Sequence, residues 1–195
     1  MKLILALVLQ LSLCSSLVSV AHVHAHEKLE NVFFSFHVPH AWNYAEYSNT
    51  AMSSLIGIGP PNQIILVPEE FKDRMLDSNE KDNAIYKNIY NAGAFSQFAQ
   101  DADYNIKNAP LTTYVKYFAN KYPYLSIISK HDSMVGKEKA VKIEGNDNSE
   151  SVKLVIYLVL HDNAAYNLDY VANENDFDKY LPDFEKMIKG FQFND

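Results

Sequence analysis

The stretch that most constrains this chain is "SVKLVIYLVL" at 151–160. In an extended strand Val152, Leu154, Ile156, Leu158 and Leu160 fall on one side, with Tyr157 and Val159 on the other. A strand apolar on both sides belongs inside a sheet whose two faces are covered. Its neighbours stand beside it in the sequence. "YLSIISKHD" and "KAVKIEG" read as strands joined by a turn at Gly136, and "GNDN" at 145–148 reads as the next turn. After a turn at 161–163, "AAYNLDYVA" alternates Tyr166, Leu168 and Tyr170 as a return strand. Such short connections describe an antiparallel meander.

Two segments supply covering helices. In "NAPLTTYVKYFANKYP", Leu111, Tyr114, Val115, Phe118 and Tyr122 recur at three- and four-residue steps. Pro110 suits a first turn, and Pro123 ends the helix. Near the end, Phe177, Tyr180, Leu181, Phe184, Met187 and Ile188 form a second stripe. Asn175 or Asp176 is the expected cap, Pro182 an expected restart in a first-turn position, and Gly190 the stop. Phe191 and Phe193 then alternate into a last short strand. The N-terminal half holds a strand at Phe34 and Phe36, another at "AWNYAEY", a short one in "MSSLIGIG" before a Pro60-Pro61 break, and one at Ile64 to Val67. A helix or two helical pieces are expected over 69–91, and a strand in "AGAFSQFAQDAD". Strands with helices on the sheet faces make an α+β domain.

The first 21 residues read as a secretory signal peptide. Lys2 is its charged start, the run from Leu3 is its apolar core, and Ser19 and Ala21 are the small residues before a cut. A second cut after Ala25 also fits. Gln10, Ser12, Ser15, Ser16 and Ser19 interrupt the run too often for a membrane anchor. Cys14, the single cysteine of the chain, follows Leu13, where a lipoprotein signal wants a small residue. The expected division is a signal peptide at 1–21 (or to 25), a His-containing leader at 22–31, and one domain at 32–195. The expected location is outside the cytoplasm, with no membrane span left after cleavage. A formal charge of −7 argues against nucleic acid and anionic lipid as partners.

Several strings together resemble the PsbP family. "FSFHVPHAW" at 34–42 is similar to the family's opening, an aromatic strand running into Val-Pro and then Trp. "PLTTYVKYF" stands where such proteins carry a Leu-x-x-Tyr helix. "MVGKEKAVKIE" places Gly136 and Ala140 in the family's strand-turn-strand. "YNLDYVANENDFDKYLPDFEKMIKGFQF" is similar to its ending. The resemblance covers most of 33–193 and implies the Mog1/PsbP-like fold, a central antiparallel sheet flanked by helices on both faces. It implies a binding scaffold, since such proteins are extrinsic subunits or assembly factors of photosystem II, and the Mog1 branch binds a small GTPase. This chain departs from the photosystem subunit in its acidity and in lacking a long basic N-terminal tail. No site residue carries over.

The candidate chemistry is sparse. His22, His24 and His26 alternate in "AHVHAHEK". A cut after Ala21 leaves a free amine, two amides and the His24 ring, a nitrogen set suited to Cu(II) or Ni(II). A cut after Ala25 leaves the amine and ring of His26. The plain alternative is a solvated leader. His37 and His40 are expected at exposed strand and turn positions. His131-Asp132 and His161-Asp162 are expected as turns, their neighbouring side chains pointing apart. The acids at 101–103, 147–150 and 174–178 match no calcium loop. No Gly-x-Ser-x-Gly nucleophile elbow or phosphate-binding glycine loop occurs. Trp42 is expected in the core, and Tyr114, Tyr117, Tyr122 and Tyr124 as half core, half interaction surface. The expected function is a non-catalytic, exported protein acting on an extracytoplasmic protein partner. The alternatives are an envelope copper-binding protein and a small pocket enzyme.

Overall fold

A computed structural model describes residues 20–22, 27–40, 42–48, 54–60, 94–101, 104, 108–147 and 152–194. The expected strand at 64–67 and helix at 69–91 lie outside them, as does nearly all of the expected signal peptide.

The meander forms as its pattern demands. Strands β7 (Ser126–Val135), β8 (Glu138–Asp147), β9 (Val152–His161) and β10 (Ala164–Asn173) pair antiparallel in succession. Gly136, with φ +58°, opens the two-residue turn into β8. Asp162 and Asn163, with φ 47° and 61°, make the two-residue turn into β10. Positive φ at both loop positions matches the right-handed twist of a hairpin, and Asp and Asn tolerate it. Beyond β10 lie β6 (Ala94–Gln100), β5 (Ser54–Gly59), β4 (Asn43–Ser48) and β1 (Val20–His22). The sheet has eight strands in the order β1-β4-β5-β6-β10-β9-β8-β7, every pair antiparallel. A second sheet of three strands sets β3 (Phe34–Val38) between β2 (Glu27–Glu30) and β11 (Gln192–Phe193). Part of the expected 22–31 leader is therefore strand, and Leu29 is buried in the core. β1 straddles the expected cut after Ala21.

β9 is interior, and its residues divide as alternation requires. Leu154, Ile156 and Leu158 join a cluster with Tyr114 and Phe118 of helix α1 (Leu111–Lys121). Val155, Tyr157 and Val159 join a cluster with Phe177, Phe184, Met187 and Ile188 of helix α2 (Glu174–Lys189). The second cluster also takes Phe34, Phe36, Phe98, Phe191 and Trp42, the last with its ring edge-on to Tyr180 at 5.8 Å. Among the described residues no helix is long and apolar enough to cross a membrane.

Four local expectations are corrected. Pro182 does not restart α2 but sits inside one continuous helix. It leaves a gap in the backbone ladder, outweighed by the apolar stripe buried against the sheet. The cap is Asn173, whose side chain accepts the Asp176 N–H at 2.9 Å; Asp176 instead meets the positive helix end. Gly145, Asn146 and Asp147 are strand, not turn, because β7 and β9 pair with Gly145 and Asn146 on either side and β9 pairs with Asp147. A Cβ at Gly145 would stand 2.7 Å from the Ser126 carbonyl oxygen, so this close strand approach needs glycine. His131-Asp132 lies within β7, opposite Lys142 and Val141, and is no turn.

Candidate functional site

The period that sets Tyr166, Leu168 and Tyr170 on the α2 side of β10 sets Asn167 and Asp169 on the other. Read alone, that alternation suggests a wet face. Asn167 pairs with Leu158 and Asp169 with Ile156, both residues of the cluster under α1. A carboxyl thus lies under a helix. Asn167 Nδ2 donates to Asp169 Oδ2 at 2.9 Å, while Asp169 Oδ1 is buried without a hydrogen-bond partner. Burial raises the Asp169 pKa from 3.8 to about 7; the Asn167 hydrogen bond opposes this and the charge of Asp101 adds to it.

Asp101 follows β6 directly, its N–H donating to the Ala165 carbonyl at 2.8 Å. Its carboxylate accepts from the Tyr114 hydroxyl and from Lys121 Nζ, both at 3.3 Å. Burial, then the Asp101 charge, holds the Tyr114 hydroxyl well above its usual pKa. The Tyr104 ring lies 4.7 Å from that of Tyr114 and 5.1 Å from that of Tyr117, and its buried hydroxyl has no hydrogen-bond partner among the described residues. On the outer side Lys121 Nζ stands 5.5 Å from the Tyr117 ring and 5.6 Å from the Tyr122 ring. The assembly can hold and release a proton near neutral pH beneath a surface of tyrosine and lysine.

A second polar network ties β7 to α2. Ser129 Oγ donates to Glu144 at 3.0 Å, and Lys142 Nζ bridges Glu144 at 3.0 Å and Glu185 at 2.8 Å. The Tyr157 hydroxyl donates to Glu185 at 2.7 Å. Burial opposes the Lys142 charge, but hydrogen bonds to Glu185 and Glu144 outweigh it and raise the pKa.

The sequence-derived candidates are scattered. His22 ends β1, opposite Asn43; His24 and His26 lie outside the described residues. His37 and His40 are exposed. His161 departs from expectation. Its Nε2 lies 3.6 Å from Asp162, because the turn swings that carboxylate back, and its Nδ1 lies 3.1 Å from Glu138. The ring stacks on Phe193 at 4.2 Å. Among the described residues no group of three or more His, Cys, Asp or Glu is arranged to hold a metal.

No family model and no curated protein matches the chain. Among solved structures it is similar to cyanobacterial PsbP from Synechocystis, at 8% identity and TM-score 0.53, over 88% of this chain and 94% of that one. The fold is PsbP-like. LpqN, involved in cell envelope biogenesis of Mycobacterium tuberculosis, aligns at 8% identity and TM-score 0.42, over 91% and 92% of the two chains. A Bacteroides thetaiotaomicron protein aligns at 10% identity and TM-score 0.45, over 89% and 50%. Likeness at such identity concerns fold, and the two lower scores carry no further weight. The PsbP-like sheet explains why Asp169 escapes a reading of the sequence. Only the folded arrangement beside Tyr114 and Asp101 buries Asn167 and leaves Asp169 half-buried, with its Oδ1 out of solvent.

Proposed function

We propose that this chain is an exported, non-catalytic accessory protein of the PsbP-like kind, its sheet flanked by helices on both faces. It binds a protein partner outside the cytoplasm, as the resemblance to photosystem II extrinsic proteins implies. The observation that carries this reading is the fold likeness over 88% of this chain and 94% of cyanobacterial PsbP. The signal-like segment at 1–21 supports the compartment. The docking face is the C-terminal end of α1, where Lys121 stands over the half-buried Tyr117 and Tyr122 rings and the exposed Tyr124 meets Tyr122 edge-on, since tyrosine is enriched at interfaces. Cross-linking in the native envelope, with the wild type and a Tyr122→Ala/Tyr124→Ala variant of unchanged melting temperature, tests it. A discrete partner lost in the variant is expected; an identical cross-linked set in both sinks the reading.

Asp169 keeps an enzyme reading in play, because a small hydrolase or isomerase needs a buried acid titrating near neutrality. Turnover by the purified chain that disappears in Asp169→Asn would replace the accessory role. The spacing of His22, His24 and His26 carries a copper proposal of its own. Native mass spectrometry of the envelope-derived protein is the check. One bound copper, lost when the three histidines are replaced, supports it, and an apo mass after copper-replete growth removes it.

A further inference from the structure

β7 is an outer strand of the eight-stranded sheet, bonded to β8 along one edge. Among the described residues nothing pairs with its other edge. An open edge is a template for another strand, and proteins blunt such edges with bulges and charges. β7 carries a bulge between Ile127 and Ser129, and an exposed Lys130-His131-Asp132. Charges of one sign would repel a second strand. Here opposite signs flank a single residue, which changes the outcome.

Counted outward from His131, the strand reads Lys130 and Asp132, then Ser129 and Ser133, then Ile128 and Met134. Two copies running antiparallel about a two-fold axis at His131 would set Lys130 opposite Asp132 of the second copy, twice over. Serine would face serine, and Ile128, at the bulge, and Met134 would lie at the ends of the paired stretch. The last two are 68% and 52% exposed, large apolar side chains left in solvent that this register would cover. The faces agree as well. Pairing with β8 sets Lys130, Asp132 and Met134 opposite Ile143, Val141 and Lys139, on one face. Ser129, His131 and Ser133 lie opposite Glu144, Lys142 and Ala140, on the other. An axis perpendicular to the sheet keeps each face on its own side, so matched residues meet. Sliding the register by two sets Lys130 opposite itself, or Asp132 opposite itself, and like charges repel. The Ser129–Glu144–Lys142–Glu185 chain holds the strand in place before any partner arrives.

We propose that β7 is a self-recognition edge: two copies of this chain pair β7 to β7, antiparallel about His131, joining two sheets into one. This edge uses other residues than the C-terminal end of α1, so the inference stands apart from the accessory role.

Sedimentation of the full chain over a concentration series tests it. A reversible monomer–dimer equilibrium is expected. Lys130→Asp and Asp132→Lys should each weaken the dimer at least tenfold, since each sets like charges opposite one another at two places. A mixture of those two variants, and the double variant Lys130→Asp/Asp132→Lys, should recover the wild-type association. In a Cys14→Ser background, His131→Cys should oxidise to a covalent dimer, because a residue on the axis faces its twin at about 5 Å between Cα atoms, within disulfide range. Ser133→Cys faces Ser129 of the second copy and should not. A wild type that stays monomeric into the millimolar range, single variants without effect, variants that do not rescue each other, or equal cross-linking at 131 and 133 would each overturn the proposal.

Discussion

The two clusters that share β9 differ in their aromatic balance: phenylalanine dominates the α2 side, beside Tyr157, Tyr166 and Tyr170, and tyrosine dominates the α1 side, beside Phe118. On the α2 side Phe34, Phe36, Phe98, Phe184 and Phe191 are each at most 1% exposed. Their rings meet at close range, Phe36 on Phe98 at 4.5 Å and Phe34 on Phe191 at 5.0 Å. On the α1 side Tyr104, Tyr114, Tyr117 and Tyr122 stand with Phe118, and the carboxyls of Asp101 and Asp169 lie beside Tyr114. Phenylalanine stacks need nothing from solvent. Tyrosine and aspartate need partners, and Tyr104 and Asp169 Oδ1 have none. Among the described residues the α2 side leaves the Ser96 hydroxyl, Gln100 Oε1 and His161 Nε2 without a hydrogen-bond partner as well, but none of them is a carboxyl. The phenylalanine stack itself therefore holds at any pH, while Asp169 ties the α1 side to protons in the neutral range.

Phe184→Ala should break the dry side most severely. A fully buried phenylalanine truncated to alanine costs ~3–5 kcal/mol, and the loss in chemical denaturation should be the same at pH 5 and pH 8. Asp169→Asn should do the opposite. The folded state keeps the Asp169 proton to about pH 7, while the unfolded carboxyl loses it near 3.8. Stability from this group is thus greatest below the unfolded value, falls as pH climbs toward the folded one, and then levels off. The variant should gain up to about 4 kcal/mol over the wild type at pH 8 and little at pH 4, as measured by paired urea titrations. A flat difference between the two pH values would erase the contrast between the clusters.

Smaller changes sharpen it. Asn173→Ala removes the α2 cap, whose side chain accepts the Asp176 N–H at 2.9 Å, and should cost ~1 kcal/mol with no pH dependence. Tyr114→Phe removes the hydroxyl that donates to Asp101 and should cost ~1 kcal/mol or less, the bond being long at 3.3 Å. Its second effect is the informative one. With one donor to Asp101 gone, the Asp169 titration followed by carboxyl NMR should move, whereas Phe184→Ala should leave it in place.

Much of the frame was legible before any coordinate. The double-sided apolar pattern of 152–160 places β9 inside the sheet, and the three- and four-residue steps in 111–122 put Tyr114 and Phe118 on the buried side of α1. Trp42 is core, as its place before a strand suggests. What escaped were positions where a neighbour distant in sequence reverses a local preference. Gly145 and Asn146 carry turn chemistry, yet two flanking strands hold them extended. Pro182 carries stop chemistry, yet a stripe anchored by Phe184 and Met187 carries the helix through it. Asp162 points back to His161 because positive backbone angles in a two-residue turn redirect it.

The order of apolar residues by itself determined the elements, their buried sides and the antiparallel meander, because periods of two and of three to four fix which side chains can share a surface. The charge order around His131, Lys130 before it and Asp132 after it, is likewise a property of neighbours in one strand. Tertiary structure alone decided which polar residues go dry. Asn167 and Asp169 alternate like a solvated strand face, yet they stand opposite Leu158 and Ile156 of the cluster beside α1, Asn167 buried and Asp169 half-buried. Removal from water, which no local pattern encodes, then carries the pKa of Asp169 to about 7.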